Sequence, residues 1–342
     1  MNNSLTARRT RLTVTVNGID VSSHLAPFLR EFTFKDNAKD KADEVTLSLM
    51  DRDRRFQHDW FIDKGSEVTA WLTCLNWYAP GENLSLPMGR FTVDEVTLAG
   101  PPDVFTVKAV SAAKTSAMSE ESRTRGWETY TLKGIAQEIA QRHGYELMYD
   151  APEIPFKRVD QRETSDLAFL HGLSGRYGVN LKVHDGKMIL YGAREWDAKS
   201  PLLLISKEGS PYSPSNWSFR IGSQGTGKKA DVSYHDPATR QTVKAEAAVP
   251  GTPPSGQTIT LNQRVENSSQ AIALGKGALR AANEGERTAT LDWMGCPGIV
   301  AGITLQLEGW GKYDGTYFVE SAEHKLARAY TTSAELRRTL EY

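Results

Sequence analysis

A chain of 342 residues is longer than the roughly 250 at which a single hydrophobic core stops growing, so two or three domains are expected. Apolar residues make up 39% and charged residues 24%, a globular balance that excludes a disordered chain. Forty-one Lys+Arg against 42 Asp+Glu leave a formal net charge of -1, which excludes a polycationic surface, so neither sequence-specific nucleic acid nor an anionic membrane is an expected partner.

The opening segment MNNSLTARRTRL is basic, but no apolar stretch follows it, and the longest aliphatic run is Leu202 to Ile205. No export signal and no membrane span are expected. Period-two alternation then marks strands at Leu12, Val14, Val16 before an Asn17-Gly18 turn, at Val45, Leu47, Leu49, at Val68 to Cys74, and at Phe105, Val107, Ala109. Between Phe91, Val93 and Val96, Leu98 the alternation changes phase, which predicts a β-bulge and a closed or strongly curved sheet. Cys74 and Cys296 are far apart and form no CxxC, so both read as small apolar strand residues of a reducing cytoplasm.

A small and polar stretch, Ser111 to Ser122, suits a domain boundary. Beyond it, Leu132, Ile135, Ala136, Ile139 and Ala140 are spaced as a helix, with Thr131 as N-cap and Gly144 as left-handed terminator. A second helix is expected from about Ser165 to Gly178, followed by a hairpin turning on Asp185-Gly186. Strands return at Trp217 to Ile221 and Ala230 to Tyr234, with a helix around Ala271 to Ala282 and an exposed loop at Val249 to Gly256. The reading is mainly β, with a β domain at 1–115, an α+β module at 116–198 and a second β domain with one helix at 199–342.

A weak repeat links the two ends. Val45 to Met50, Gly65 with Val68 and Ala70, and Gly89 to Asp94 recur in order as Ala289 to Met294, Gly302 with Leu305 and Leu307, and Gly315 to Glu320. The offsets of 244, 237 and 226 residues shrink steadily, as a shared strand scaffold with shorter second-copy loops would produce.

No motif nominates chemistry. Gly222 to Lys229 imitates a P-loop, but Lys229 stands where Ser or Thr should hold magnesium, and a strand follows where a helix is needed, so a glycine-rich hairpin is expected. Asp51-Arg52-Asp53, with His58 and Asp59 behind it, lies among Arg52, Arg54 and Arg55 and reads as a solvated charged loop rather than a metal-nucleotide site. His24, His58, His143, His171, His184, His235 and His324 form neither HExxH nor HxH, and His235-Asp236-Pro237 reads as a turn. Tyr130-Thr131-Leu132 resembles the opening of a LysM peptidoglycan-binding repeat, but the rest of that module is missing and a packing helix is expected. Expected catalytic, cofactor-binding and metal residues are therefore none, and the chain is read as no enzyme.

The segments Leu12 to Val21, Ala42 to Leu49, Gly89 to Val96, Leu132 to His143, Thr164 to Leu170, Gly315 to Glu320 and Tyr330 to Leu336, taken in order, resemble the late-control D family of phage baseplate hub proteins. That family is related to hub portions of type VI secretion spikes and R-type bacteriocins. The resemblance implies two tube-type β-barrel domains around the α+β module. It also implies a homotrimer whose six similar domains form a ring adapting a sixfold tail tube to a threefold spike. Partners implied are the tail tube protein, a trimeric spike made as a separate chain, the tape-measure protein and other baseplate components. The implied location is a virion or tail-like baseplate, assembled in the bacterial cytoplasm. A cell-wall-active or carbohydrate-binding tail protein is the alternative, with the helix at Leu132 and Asp51-Arg52-Asp53 as its site.

Overall fold

The computed structural model describes residues 7–111, 117–223, 225–236, 240–250 and 256–342. The loop expected at Val249 to Gly256 lies mostly outside these residues, as does Pro237. The first part of the chain runs β1 (Arg9–Val16), β2 (Ile19–Asp20), α1 (Ser22–Leu25), β3 (Leu29–Asn37), β4 (Glu44–Met50), β5 (Glu67–Leu75), β6 (Leu84–Ala99) and β7 (Val104–Val110). Its strands pair antiparallel in the spatial order β3-β4-β7-β6-β5-β1-β2. The alternating residues Val45, Leu47, Leu49, Val68, Ala70, Leu72, Cys74, Phe105, Val107 and Ala109 all point into one core with Val14, Phe32, Phe34, Phe91 and Val93. A sheet whose strands β3 and β1, near its two ends, share one core is strongly curved, and apolar burial from β1 and β3 to β7 holds it so, while the short β2 stays exposed. The phase change in β6 is a bulge: Val93 lies opposite Ala109 and Glu95 opposite Lys108, leaving Asp94 unpaired in the ladder.

The α+β module comprises α2 (Ala117–Glu120), β8 (Ser122–Thr131), α3 (Leu132–Arg142), β9 (Glu146–Asp150), β10 (Pro155–Ser165), α4 (Asp166–Arg176), β11 (Val179–His184), β12 (Lys187–Gly192) and α5 (Ala193–Asp197). The Thr131 hydroxyl accepts from Gly134 N at 3.1 Å and caps α3; Ser165 does the same for α4 from Ala168 N at 3.3 Å. Gly144 and Gly178 stand past the two helices at φ of 72° and 69°, where only glycine is unstrained. Asp185 and Gly186, both with positive φ, turn β11 into β12.

The remainder contains β13 (Leu203–Ser206), β14 (Asn216–Ile221), β15 (Gly227–Asp236), β16 (Gln241–Ala248), β17 (Gln257–Leu261), α6 (Ser268–Asn283), β18 (Arg287–Trp293), β19 (Thr304–Glu308), β20 (Gly315–Leu326) and β21 (Tyr330–Arg338). Six of these strands form the order β14-β18-β21-β20-β19-β13 around a second core centred on Leu291, Leu305, Leu307 and Val319. Between β14 and β18 the chain leaves this sheet. β16, β15 and β17 make a sheet of three strands on which α6 packs through Ala271 and Leu274. The glycine-rich segment at 222–229 is consequently not the expected hairpin: β14 pairs with β18, whereas β15 pairs with β16 and β17, so the segment carries the chain from one sheet to another.

The two β halves have the same strand order, with β3, β4, β7, β6, β5 and β1 in the places of β14, β18, β21, β20, β19 and β13. Local detail agrees. Gly65 N donates to Val93 O at 2.8 Å and Val93 N to Ser66 O at 2.9 Å, while Gly302 N donates to Val319 O and Val319 N to Ile303 O, both at 2.9 Å. Gly65 and Gly302 share φ values of 87° and 88°, and the bulge after Val93 recurs after Val319. One strand differs: β1 runs antiparallel to β5, but β13 parallel to β19. Two similar barrel-type β halves thus bracket the module, and a ladder between β20 and β3, from Ser321 opposite Asn37 to Leu326 opposite Phe32, joins them into one sheet of 13 strands.

Candidate assembly interfaces

The residues weighed as chemical candidates do structural work. Asp51 is buried, against the expectation of a solvated loop: its carboxylate accepts from Phe56 N at 3.2 Å and from Gln57 Nε2 at 3.1 Å, pinning the turn that follows β4. The other charged residues of the run, Arg52 to Arg55, His58 and Asp59, are exposed as expected, with Asp53 beside Arg55 at 3.5 Å. His235 faces Thr242 across the β15–β16 ladder at 3.0 Å. The helix considered for glycan binding, α3, turns Leu132, Ile135, Ala136 and Ile139 into the module core, where Trp127 and Leu170 meet them. Among the described residues, no group of three or more His, Cys, Asp or Glu side chains is placed to hold a metal ion. A cleft of about 400 Å³ between the first half and the module contains His171, whose ring meets Asp40 at 2.7 Å. Two hydroxyls of its wall are already engaged: Ser165 caps α4, and Ser111 accepts from Asp43 N at 2.8 Å.

Buried polar contacts also occupy the junctions between parts. At the β20–β3 ladder the buried His324 ring stacks on Phe34, centroids 5.9 Å apart. Its Nε2 donates to Ile299 O at 2.9 Å and its Nδ1 accepts from the Tyr330 hydroxyl at 2.7 Å, which requires the neutral ring. Burial pushes the His324 pKa down to about 4. Beside it, Trp77 Nε1 of the first half donates to Gly295 O of the second at 3.0 Å, and the Tyr78 hydroxyl donates to Cys296 Sγ at 3.2 Å. Burial raises the Cys74 thiol to about 12 and raises that of Cys296 as well.

Two ion clusters lock the module to the halves. Lys182 on β11 reaches Asp36 at 2.6 Å and Asp43 at 3.2 Å, and His184 reaches Asp43 at 2.6 Å. Asp36 also accepts from Ala301 N at 2.8 Å, so one carboxylate ties together both halves and the module. Burial raises the pKa of Asp36 despite Lys182; at Asp43 burial acts in the same direction, but the hydrogen bond from His184 and the charge of Lys182 outweigh it and hold the pKa low. In the second cluster Arg337 of β21 grips Asp197 of α5 bidentately at 2.8 and 2.9 Å, and Arg280 of α6 joins the same carboxylate. None of these residues stood out in the sequence, because each partner lies more than 80 positions away. The only local signal was Asp43 within the Ala42 to Leu49 segment.

This architecture defines a class. Over 97% of both chains it matches a 43 kDa tail protein of prophage MuSo2 from Shewanella oneidensis, with a TM-score of 0.69 at 12% identity. A tail protein from Neisseria meningitidis MC58 matches over 96% of both chains with a TM-score of 0.70, also at 12% identity. A component of the Escherichia coli type VI secretion system matches 96% of this chain and 76% of its own, with a TM-score of 0.54 and 9% identity. The fold is that of tail proteins. In sequence, the chain is 29% identical over 182 residues to a "Probable baseplate hub protein" of Escherichia phage 186, and 30% identical over 178 residues to the protein of the same name in Escherichia phage P2. The likeness to phage baseplate hub proteins, read above from the order of plain motifs, is thereby shown for about half of this chain. The matches cover 44% and 43% of those relatives' lengths. No family model matches the chain.

Proposed function

We propose that this protein is a structural, non-enzymatic baseplate hub of a contractile phage tail or tail-like bacteriocin particle. The observation that carries the reading is the pair of β halves with one strand order, held to each other by a ladder within the chain. Three copies of such a chain make a ring of six similar domains, and a ring with threefold and near-sixfold symmetry can meet a sixfold tube on one face and a threefold spike on the other. Its partners in this reading are two further copies of itself, the tail tube, a trimeric spike, the tape-measure protein passing through the ring, and neighbouring baseplate components. The cell-wall-binding alternative has lost the features that supported it, because α3 and Asp51 are both occupied in packing.

Light scattering of the purified chain, alone and with its spike, tests the proposal. Three chains per particle is the expected result. A monomer in both samples contradicts it.

A further inference from the structure

Each β half carries the strand edge that the other half uses at their junction, and in each half that edge is left open. In β20, Gly315 to Phe318 pair with β19; past the bulge, Ser321 to Leu326 leave β19 and pair with β3. The same stretch of the first half, 226 residues earlier, is Glu95 to Gly100. There the β5 ladder has ended at Thr92, and among the described residues Glu95 to Ala99 pair only with β7. Conversely, β3 lies between β4 and β20, while its counterpart β14 pairs, among the described residues, only with β18. Phe34 lies opposite Val45 and Phe219 opposite Ala289, which aligns Phe32 and Phe34 with Trp217 and Phe219.

Side chains record the missing neighbour. His324 is 1% exposed under β3, but its counterpart Leu98 is 49% exposed; Phe32 is 1% exposed, but its counterpart Trp217 is 38%. Ile221, in the place of the buried Asp36, is 51% exposed. Apolar residues on an open, unprotected edge are an aggregation hazard unless another strand covers them.

We propose that β6 of one copy pairs antiparallel with β14 of the next, reproducing between chains the β20–β3 ladder found within the chain. The inference rests on the trimeric-ring reading and names its interface. Carrying the register over by the two offsets sets Val96 opposite Ile221 of the next copy, Thr97 opposite its Arg220, and Leu98 opposite its Phe219. Leu98 then covers Phe219 as His324 covers Phe34, and Glu95 stands diagonal to Arg220, an acid on one edge meeting a base on the other. Because the two edges differ, the contact is head to tail. Such contacts either close into a ring or run on as a filament; in the ring of six similar domains proposed above, this contact alternates with the junction inside each chain, so three copies close it.

The test is a disulfide between the edges. Opposite residues of an antiparallel ladder lie about 4.5–5.5 Å apart at Cα, within the range a disulfide spans. Oxidised Thr97→Cys/Arg220→Cys protein should give covalent dimers and trimers on a non-reducing gel and nothing larger. Each single variant should stay monomeric there, as should Thr97→Cys/Asn216→Cys, whose cysteines sit four residues out of register. Ile221→Lys should cut the trimer fraction at least tenfold while its far-ultraviolet circular dichroism stays that of the unaltered chain. A trimer by light scattering without the Thr97–Arg220 cross-link overturns this interface and leaves the hub reading standing. Cross-linking by Thr97→Cys alone shows like edges meeting and overturns it too. A monomer at all concentrations, with the spike as well as without it, overturns both.

Discussion

Asp51 and Asp53, two residues apart in a charged run, respond oppositely to substitution. Asp51→Ala strips the buried acceptor from Phe56 N and Gln57 Nε2, and should cost about 1–3 kcal/mol of stability in a denaturant titration. Asp53→Ala and His235→Ala should stay within about 0.5 kcal/mol. Particles that assemble with any of the three should remain active, and loss of activity with assembly intact would point to chemistry in the hub. His324 supplies a pH dependence. An unfolded histidine titrates near 6.5 and this one at about 4, so between these values the unfolded chain binds more protons. Stability is complete above pH 6.5 and falls as the pH drops toward 4, by on the order of 3 kcal/mol from this ring alone. Unfolding free energies of wild type and His324→Leu, measured from pH 7 to 4.5, should differ in slope accordingly; equal slopes contradict the buried neutral ring. The sequence showed His324 only as one histidine among seven. What makes it special is a strand arriving from nearly 300 positions earlier.

At the scale of elements, local signals were read well wherever local physics decides. Thr131, Ser165, Gly144 and Gly178 punctuate their helices as expected, and the phase change in β6 is a bulge, because a single extra residue must reverse every side chain beyond it. The glycine-rich segment before β15 crosses between sheets where a hairpin is expected, since nothing local says which sheet a strand joins. Alternation at Ala230, Val232 and Tyr234 looks the same in either. Glycines inside helices make the point quantitatively. Alanine is favoured over glycine by about 1 kcal/mol in a helix. At Gly172 in α4 an added methyl meets nothing within 4 Å, so Gly172→Ala should stabilise. At Gly277 in α6 the methyl would sit 2.4 Å from Arg176 O and 2.9 Å from Gly178 N, backbone atoms that cannot swing aside. There the overlap wins, and Gly277→Ala should destabilise by about 1–3 kcal/mol. Opposite shifts in the denaturation midpoints of the two variants check the packing of α6 on the end of α4.

For the whole molecule, the repeat was legible because a shared scaffold keeps its glycines and alternation even where identity has faded. Gly65 and Gly302 make matching hydrogen bonds. The first step of the shrinking offsets reflects a shorter loop, β18 to β19 against β4 to β5, but the second lies mostly in shorter strands, because β19 ends sooner than β5 and β20 begins later than β6. The joining of the halves by β20 and β3 was not legible, nor were the clusters around Asp36 and Asp197, since pairings over such separations leave no pattern in a single chain. In this account those contacts make each chain a rigid third of a ring, and the ring reconciles six with three. A cryo-electron microscopy reconstruction of the tail particle that contains this chain tests that claim most directly. Three copies are expected on the tail axis between tube and spike, their six β halves alternating around one channel. Six copies of the chain, or a position away from the axis, would contradict it.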